Sequence, residues 1–294
     1  MSMSGVDISS HQSGMDCVKT KADFFIVKAT QGTTYVNPFF SRHYAQAVAA
    51  WKLVGAYHYA SGGDPAKEAD YFLSIVGKRV GECIMALDWE HIKGGGENPA
   101  FNTSREVSWC QAFAKRIHDK TGVWPLIYMS ASVTRRRDWS AVAKNCPLWL
   151  AQYGSNDLTG YQSEPWTDGR QLGAWGRKIA IHQYSPSGSI SGYRCSRPHG
   201  LDLDIAYITA EQWKAMATPG KTVEAVVPFP EKTDGELALE VWADRHGEKD
   251  ARRKALGLRY DAVQREVEVL AEAGTSAIMA RLKTYEKKHG ALFK

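Results

Sequence analysis

Short apolar runs that end in polar residues recur along the first two hundred positions. They occupy residues 5–9, 24–27, 54–59, 84–87, 123–129, 147–153, 179–184 and 201–207. Runs of this length predict strands buried on both faces, as in a parallel sheet. A second periodicity appears between them. After Asn37-Pro38, a helix-start signal, Phe40, Tyr44, Ala47, Val48 and Trp51 follow at helical spacing. Asp64-Pro65 opens a second helix with Ala69, Phe72, Leu73 and Val76 on its apolar face. Thr103-Ser104 with Glu106 reads as a capping box ahead of Val107, Cys110, Phe113, Ala114 and Ile117. Gly122 reads as its C-terminal cap. Strands alternate with helices in the first half and dominate the second. The pattern predicts an α/β chain with a largely parallel sheet closed into a barrel.

One run carries the candidate chemistry. Ile84-Met85-Ala86-Leu87 leads straight into Asp88-Trp89-Glu90. Side chains two apart on a strand share a face, so Asp88 and Glu90 point the same way, with Cα atoms roughly 6–7 Å apart. No lysine or arginine lies between them. Two like charges at the end of a buried strand resist joint ionisation, so one pKa rises. One protonated and one ionised carboxylate is what acid-catalysed glycoside cleavage requires. Asp7 and Asp202 lie in other predicted strands and could meet the pair at one mouth of a barrel. The spacing falls between those of retaining and inverting enzymes, so the stereochemistry stays open.

Composition narrows the choice. The chain has 294 residues and a net charge of +5, too weak for nucleic-acid binding without a basic stripe. That balance could favour an anionic polymer. Ten Trp and 13 Tyr suit either a sugar-stacking groove or ordinary packing. Arg135, Arg136 and Arg137 read as a solvated face or as a contact for an acidic wall polymer. Gly94-Gly95-Gly96 reads as a loop at the rim of a cleft. The cysteines, at 17, 83, 110, 146 and 195, are odd in number with no C-x-x-C, which fits free thiols in a reducing compartment. No secretory signal and no run long enough to span a membrane is seen.

The chain resembles glycoside hydrolase family 25, the lysozymes typical of phage endolysins and some autolysins. The matches run in order through Gly5-Val6-Asp7-Ile8-Ser9, Phe25-Ile26-Val27-Lys28-Ala29-Thr30-Gln31-Gly32, Val54-Gly55-Ala56-Tyr57-His58-Tyr59 and Leu87-Asp88-Trp89-Glu90. They continue through Leu126-Ile127-Tyr128, Leu148-Trp149-Leu150-Ala151-Gln152-Tyr153, His182-Gln183-Tyr184-Ser185 and Leu201-Asp202-Leu203-Asp204. The resemblance implies a flattened, irregular (β/α) barrel that cleaves the β-1,4 bond between N-acetylmuramic acid and N-acetylglucosamine. It implies Glu90 as proton donor, Asp88 assisting at the substrate's N-acetyl group, and Asp7 and Asp202 as further acids at the mouth. Asp204 is the alternative to Asp202. Family habit favours retention with the 2-acetamido group as internal nucleophile. His182 stands where the family often has tryptophan. The substrate-binding candidates are Tyr57, Tyr128, Gln152, Tyr153, Tyr184 and Lys28, and Trp89 and Trp149 are further groove-wall candidates. No metal or cofactor is implied.

Beyond residue 216 the pattern changes. Pro219, Gly220, Pro228 and Pro230 mark a linker over 217–233. Asp234 then reads as the cap of the first helix of a small all-helical, three-helix module over 234–274. A basic helical tail follows over 275–294. The module resembles a cell-wall-binding repeat that recognises muropeptide rather than choline, through Leu258-Arg259-Tyr260-Asp261-Ala262-Val263-Gln264. Arg252 and Tyr260 are its wall-binding candidates.

The expectation is thus a 1–216 catalytic barrel joined to a wall-binding repeat, acting on bacterial peptidoglycan. Nucleic acid and membrane insertion are excluded as partners, and oligomeric state does not follow, a monomer being allowed. Without a secretory signal, such an enzyme would be made in the host cytoplasm and reach the wall after membrane disruption. Two rivals stand against it. A zinc amidase or peptidase would use His58, His91 or His182, but no ligand spacing such as H-E-x-x-H occurs. A non-catalytic wall-binding protein would not need the acidic set.

Overall fold

Eight strands close into a barrel in a computed structural model that describes residues 2–91, 98–194, 200–221, 223, 232–256 and 260–293. They are β1 (Met3–Ile8), β2 (Phe24–Gln31), β3 (Leu53–Tyr59) and β4 (Ile84–Asp88), then β5 (Leu126–Ser130), β6 (Leu148–Ala151), β7 (Ile181–Ser185) and β8 (Asp202–Ala206). Strands β1 to β7 pair in parallel with their sequence neighbours. Strand β8 runs antiparallel to both β7 and β1 and closes the ring. That reversal decides where Asp202 goes. It opens β8, and antiparallel pairing sets it opposite Asp7 at the end of β1. The first residue of one strand and a late residue of another therefore reach the same mouth.

The interior is packed, not hollow. Phe24, Ile26, Tyr57, Ile84, Ala86, Leu126, Trp149 and Ile181 are among the residues that fill it. Helix Ala210–Ala217 plugs the end opposite the mouth, where Trp213 packs on Phe24 with ring centroids 4.9 Å apart. Gly5 makes this filling possible, because a Cβ there would come within 2.4 Å of the Phe24 ring.

Helices Phe40–Ala49, Pro65–Val76 and Glu106–Thr121 cover the first half of the barrel. The Pro65 helix starts as its sequence dictates. Asp64 accepts from the backbone N–H groups of Ala66 and Lys67, and Pro65 takes the first position. Gly122 ends the third helix with φ of 72°, a left-handed cap. Between β6 and β7 no α-helix intervenes, only a 3-10 turn at Gly173–Trp175. This makes the barrel irregular.

One expectation on the outer wall fails and another holds only in part. The Thr103 box does not form: the cap is Arg105, with no side-chain hydrogen bond. Glu106 instead accepts from the Asn102 N–H at 3.0 Å and takes the Arg136 and Arg137 guanidiniums. The arginine run is therefore a partly solvated face whose guanidiniums are engaged, Arg137 staying exposed. Arg136 and Arg137 neutralise a fully buried glutamate, and Arg135 donates to the Gln171 carbonyl at 3.0 Å. Gly94, Gly95 and Gly96 lie outside the described residues, as does Cys195. The other four cysteines are buried free thiols.

Residues 164–170 and 229–294 form a second compact unit, and residues 171–228 group with the barrel. Among the described residues four helices build the second unit: Asp234–Trp242, Lys249–Leu256, Tyr260–Glu272 and Thr275–His289. The first is capped by Thr233, not Asp234, in a reciprocal box with Glu236. The last helix, set apart as a tail by sequence, shares the core. Tyr285 and Leu292 are buried with Ala238, Leu239, Val263 and Leu270. The reason is polar as well as apolar: the Tyr285 hydroxyl donates to buried Glu240, which also takes Lys232 at 2.6 Å and His246 at 2.9 Å. Arg252 donates to the Gly247 carbonyl and to Gln264, and Arg253 lies over the Tyr260 ring. Leu258 and Arg259, and most of the linker, fall outside the described residues. Among the described residues no helix is long and apolar enough to cross a membrane.

Candidate active site

The mouth is built by strand alternation. On β4 the Asp88 side chain faces the barrel interior, while Trp89 faces the helical layer. Trp89 is fully buried between Trp109 and Phe101, with centroids 5.0 and 6.0 Å away, so it is core rather than groove wall. It anchors the strand end from which Glu90 projects. Trp149 is also core, packed inside the barrel against Tyr128 and Tyr57.

The acids gather. Asp7, Asp88, Glu90 and Asp202 act on one another electrostatically, and a fifth, Asp204, joins them. Burial pushes the carboxyls of Asp7, Asp88, Asp202 and Asp204 well above the usual range, and neighbouring carboxylates push them further. Asp88 is almost wholly buried, and no described N–H or O–H group donates to its Oδ1. Glu90, more open to solvent, is raised by burial to about 7, with Lys28 opposing the rise.

Lys28 is the cation that the local sequence around Asp88 and Glu90 lacks. A bulge in β2 at Ala29 brings it there. The register against β3 steps from Lys28 opposite Tyr57 to Thr30 opposite His58. Lys28 and Gln31, three apart, thereby face the same way, and Lys28 donates to Gln31 at 2.8 Å. Its ammonium lies 4.5 Å from the Tyr59 ring centre. Burial lowers its pKa, while Asp88 and Glu90 raise it.

Gln183 on β7 ties the far wall together. Its Oε1 accepts from the Tyr128 hydroxyl at 2.8 Å and from the Tyr153 hydroxyl. Its Nε2 donates to Asp7 Oδ2 at 2.6 Å. Trp149 Nε1 donates to Asp204 at 2.8 Å. Tyr57 and Tyr128 are buried at the same level, and their hydroxyl pKa values rise through burial and then through nearby groups, the acids among them. Tyr153 turns its hydroxyl inward while the residue keeps 37% of its surface exposed, the geometry of a groove wall.

Two substrate-binding candidates sit differently. Tyr184 follows Gln183, so it projects to the opposite face of β7, against His182 and under the Gln162 N–H. It does not line the mouth. The Gln152 backbone is pinned beside Gln183, its N–H donating to the Gln183 carbonyl and its own carbonyl accepting from His182 Nε2 at 2.7 Å. Gln183 is a site residue that sequence reasoning did not select, and Asp204 entered only as the alternative to Asp202, although the structure brings both to the mouth. Alternation in phase with Asp7 and Asp202 is the signal for both.

The histidines serve the outer layer. His58 bonds Glu68 at 2.9 Å and Thr30 at 2.8 Å, and Glu68 holds the Ser61 and Gly63 N–H groups. His91 stacks on Phe101 and accepts from the Asn98 N–H. His182 is held neutral by burial, its pKa lowered to about 4. Among the described residues no three His, Cys, Asp or Glu side chains converge as metal ligands.

A cluster of buried carboxylates at the open end of a barrel, one proton-retaining near neutrality and one cation beside it, can protonate a leaving oxygen and stabilise a developing positive charge. Comparison with known proteins agrees with that chemistry. The family model "Glycosyl hydrolases family 25" matches residues 6–193. An N,O-diacetylmuramidase of Chalaropsis sp is 36% identical over 139 residues, covering 44% of this chain and 66% of that protein. A lysozyme of Streptococcus phage Cp-9 is 32% identical over 163 residues, covering 52% of this chain and 44% of that one. The chain thus spans less than two thirds of either relative. The crystal structure of a bacterial lysozyme from Streptomyces coelicolor superposes with a TM-score of 0.60 at 27% identity, covering 74% of this chain and 97% of that one.

Proposed function

The chain belongs to glycosyl hydrolases family 25, and from that footing we propose that it hydrolyses the β-1,4 bond between N-acetylmuramic acid and N-acetylglucosamine in bacterial peptidoglycan, with Glu90 as proton donor. The observation that carries this is Glu90 itself. It is a glutamate at the barrel mouth whose pKa is raised to about 7, so near neutral pH it still holds the proton that the leaving oxygen needs. Asp88 shares the Glu90 face of β4 and supplies negative charge where the oxocarbenium-like centre and the N-acetyl group develop positive charge. Asp202 reaches the same mouth from β8, its carboxyl held toward the neutral form by burial and by Asp7. Lys28 keeps the cluster from holding too many protons: its charge pulls Asp88 and Glu90 back toward ionisation. Tyr57, Tyr128 and Tyr153 offer ring faces and hydroxyls to the sugar, and Gln183 fixes two of those hydroxyls.

The helical unit is read as the wall-targeting part, with Tyr260 and the arginines around it facing muropeptide. The likeness to a phage lysozyme supports a lytic enzyme released onto the wall once the host membrane is breached. Fractionation of cells before and after lysis checks that timing.

Mass spectrometry of digested walls tests the reaction. Fragments ending in reducing N-acetylmuramic acid, formed in the presence of EDTA, are expected. Fragments carrying only new amino termini would show an amidase or peptidase instead. Full-length Glu90→Gln is expected to sediment with walls without cutting them, and Tyr260→Ala in that background to sediment less.

A further inference from the structure

Asp204 lies two residues beyond Asp202 in β8 and is fully buried opposite Gly5. Its Oδ1 accepts from Trp149 Nε1 at 2.8 Å. Its Oδ2 is buried, and no hydrogen-bond donor among the described residues is assigned to it. Beside it lies Asp7, whose carboxyl and backbone N–H both come within hydrogen-bonding reach of the Asp204 carboxyl. Asp7 Oδ2 is already taken by Gln183 Nε2 at 2.6 Å. Two carboxyl groups can bond to one another only when one of them carries a proton. Lys28, the cation at this mouth, acts on Asp88 and Glu90 rather than on this pair.

We propose that Asp204 is a positioning residue that keeps Asp7 protonated, Asp7 donating its proton to Asp204 while Gln183 and Trp149 fix the planes of the two carboxyl groups. This rests on the glycosidase reading of the mouth, but it concerns which of two acids holds a proton. Asp204 acts through Asp7 and does not touch the glycan. The charge of the pair then resides on Asp204, beside the Trp149 indole. Asp7, which feels the Glu90 charge, presents a neutral group to the mouth. The other ionisable groups around Asp7 are Tyr57 from β3, Asp88 and Glu90 from β4, Tyr128 from β5, Tyr153 after β6 and Asp202 from β8. Five carboxyl groups can share one small volume because they do not carry five charges.

The test is a carbon NMR titration of the full chain labelled at aspartate carboxyls, with the Asp7 signal identified by its loss in Asp7→Asn. At pH 6 the wild-type Asp7 signal is expected at the position of a protonated acid. In Asp204→Asn the new amide donates to Asp7, and the signal is expected to move to the ionised position. Trp149→Phe removes the donor that holds charge on Asp204, so the proton shifts toward Asp204 and Asp7 moves the same way. This second variant decides the matter if Asp204→Asn does not fold. An ionised Asp7 in the wild type, or a protonated Asp7 unmoved in the folded variants, overturns the proposal. Activity gives an independent reading. Charge moved onto Asp7 raises Glu90, so the basic limb of wall cleavage in Asp204→Asn is expected about half a pH unit higher. If the wild type releases no reducing ends, the glycosidase reading fails while the titration still decides Asp204.

Discussion

Glu90 and Glu106 are both glutamates withdrawn from water, and the chain gives them opposite fates. Glu106 sits on the outer wall with its side chain wholly buried. Burial alone would raise its pKa, yet Arg136, the Asn102 N–H and Arg137 outweigh it and hold the carboxyl below its usual value. Glu90 sits at the mouth, where Lys28 opposes burial only in part and the pKa rises to about 7. Burial therefore does not identify a catalytic acid. The supply of donors does, and the wall has the donors that the mouth withholds.

Breaking each glutamate should separate the two regions. Glu90→Gln is expected to slow wall cleavage by about 10²–10⁴-fold, the usual contribution of a general acid, with the fold intact by circular dichroism. Arg136→Ala should do the reverse. It leaves a buried charge short of one partner, so chemical denaturation is expected to show a loss of about 3 kcal/mol. The pH profile of the remaining activity should stay in place. A shifted profile would mean that the wall pair reaches the mouth.

Stability against pH gives a sharper contrast. The unfolded chain releases the Glu90 proton near 4.5, and the folded chain near 7. The folded form binds the extra proton between those values, so this group's contribution to stability is full below 4.5 and is lost as pH rises through 7. Glu90→Gln removes that loss. Thermal melts are expected to show a gain of about 3 kcal/mol at pH 8 and almost none at pH 4. For Glu106, depressed below its ordinary value, the sign is opposite: its contribution is present above that value and fades in acid. Lys28→Met is the mildest probe. Removing the cation that pulls Glu90 down should carry the basic limb of activity up by roughly one pH unit. A downward shift would place Lys28 elsewhere in the mechanism.

Much of the barrel is visible in the chain because its strands are continuous apolar runs with an acid at one end. Asp7, Asp88, Glu90 and Asp202 follow from those ends. Direction is less visible. Nothing in residues 201–207 says that β8 runs backwards, although that reversal is what brings Asp202 to Asp7. Facing is hidden where both sides of a strand are buried. His182, Gln183, Tyr184 and Ser185 are all buried, so Tyr184 looks as good a groove wall as Gln183. Only the barrel interior separates them. Long-range pairing is hidden altogether. The bulge at Ala29 that turns Lys28 toward Asp88, and the thirty-residue reach of Arg136 to Glu106, belong to the closed fold. The last helix was expected, but as a tail apart from the module, because its contribution to the core, Tyr285 with Leu292 just beyond its end, is sparse and depends on Glu240 far back in sequence.

The central claim is that the mouth holds a proton on Glu90 at neutral pH. Titration of the labelled Glu90 carboxyl in the full chain, assigned by its loss in Glu90→Gln, tests it most directly. The account expects a midpoint near 7, coinciding with the basic limb of wall cleavage. A midpoint near 4.5, the value of an unperturbed glutamate, would contradict it.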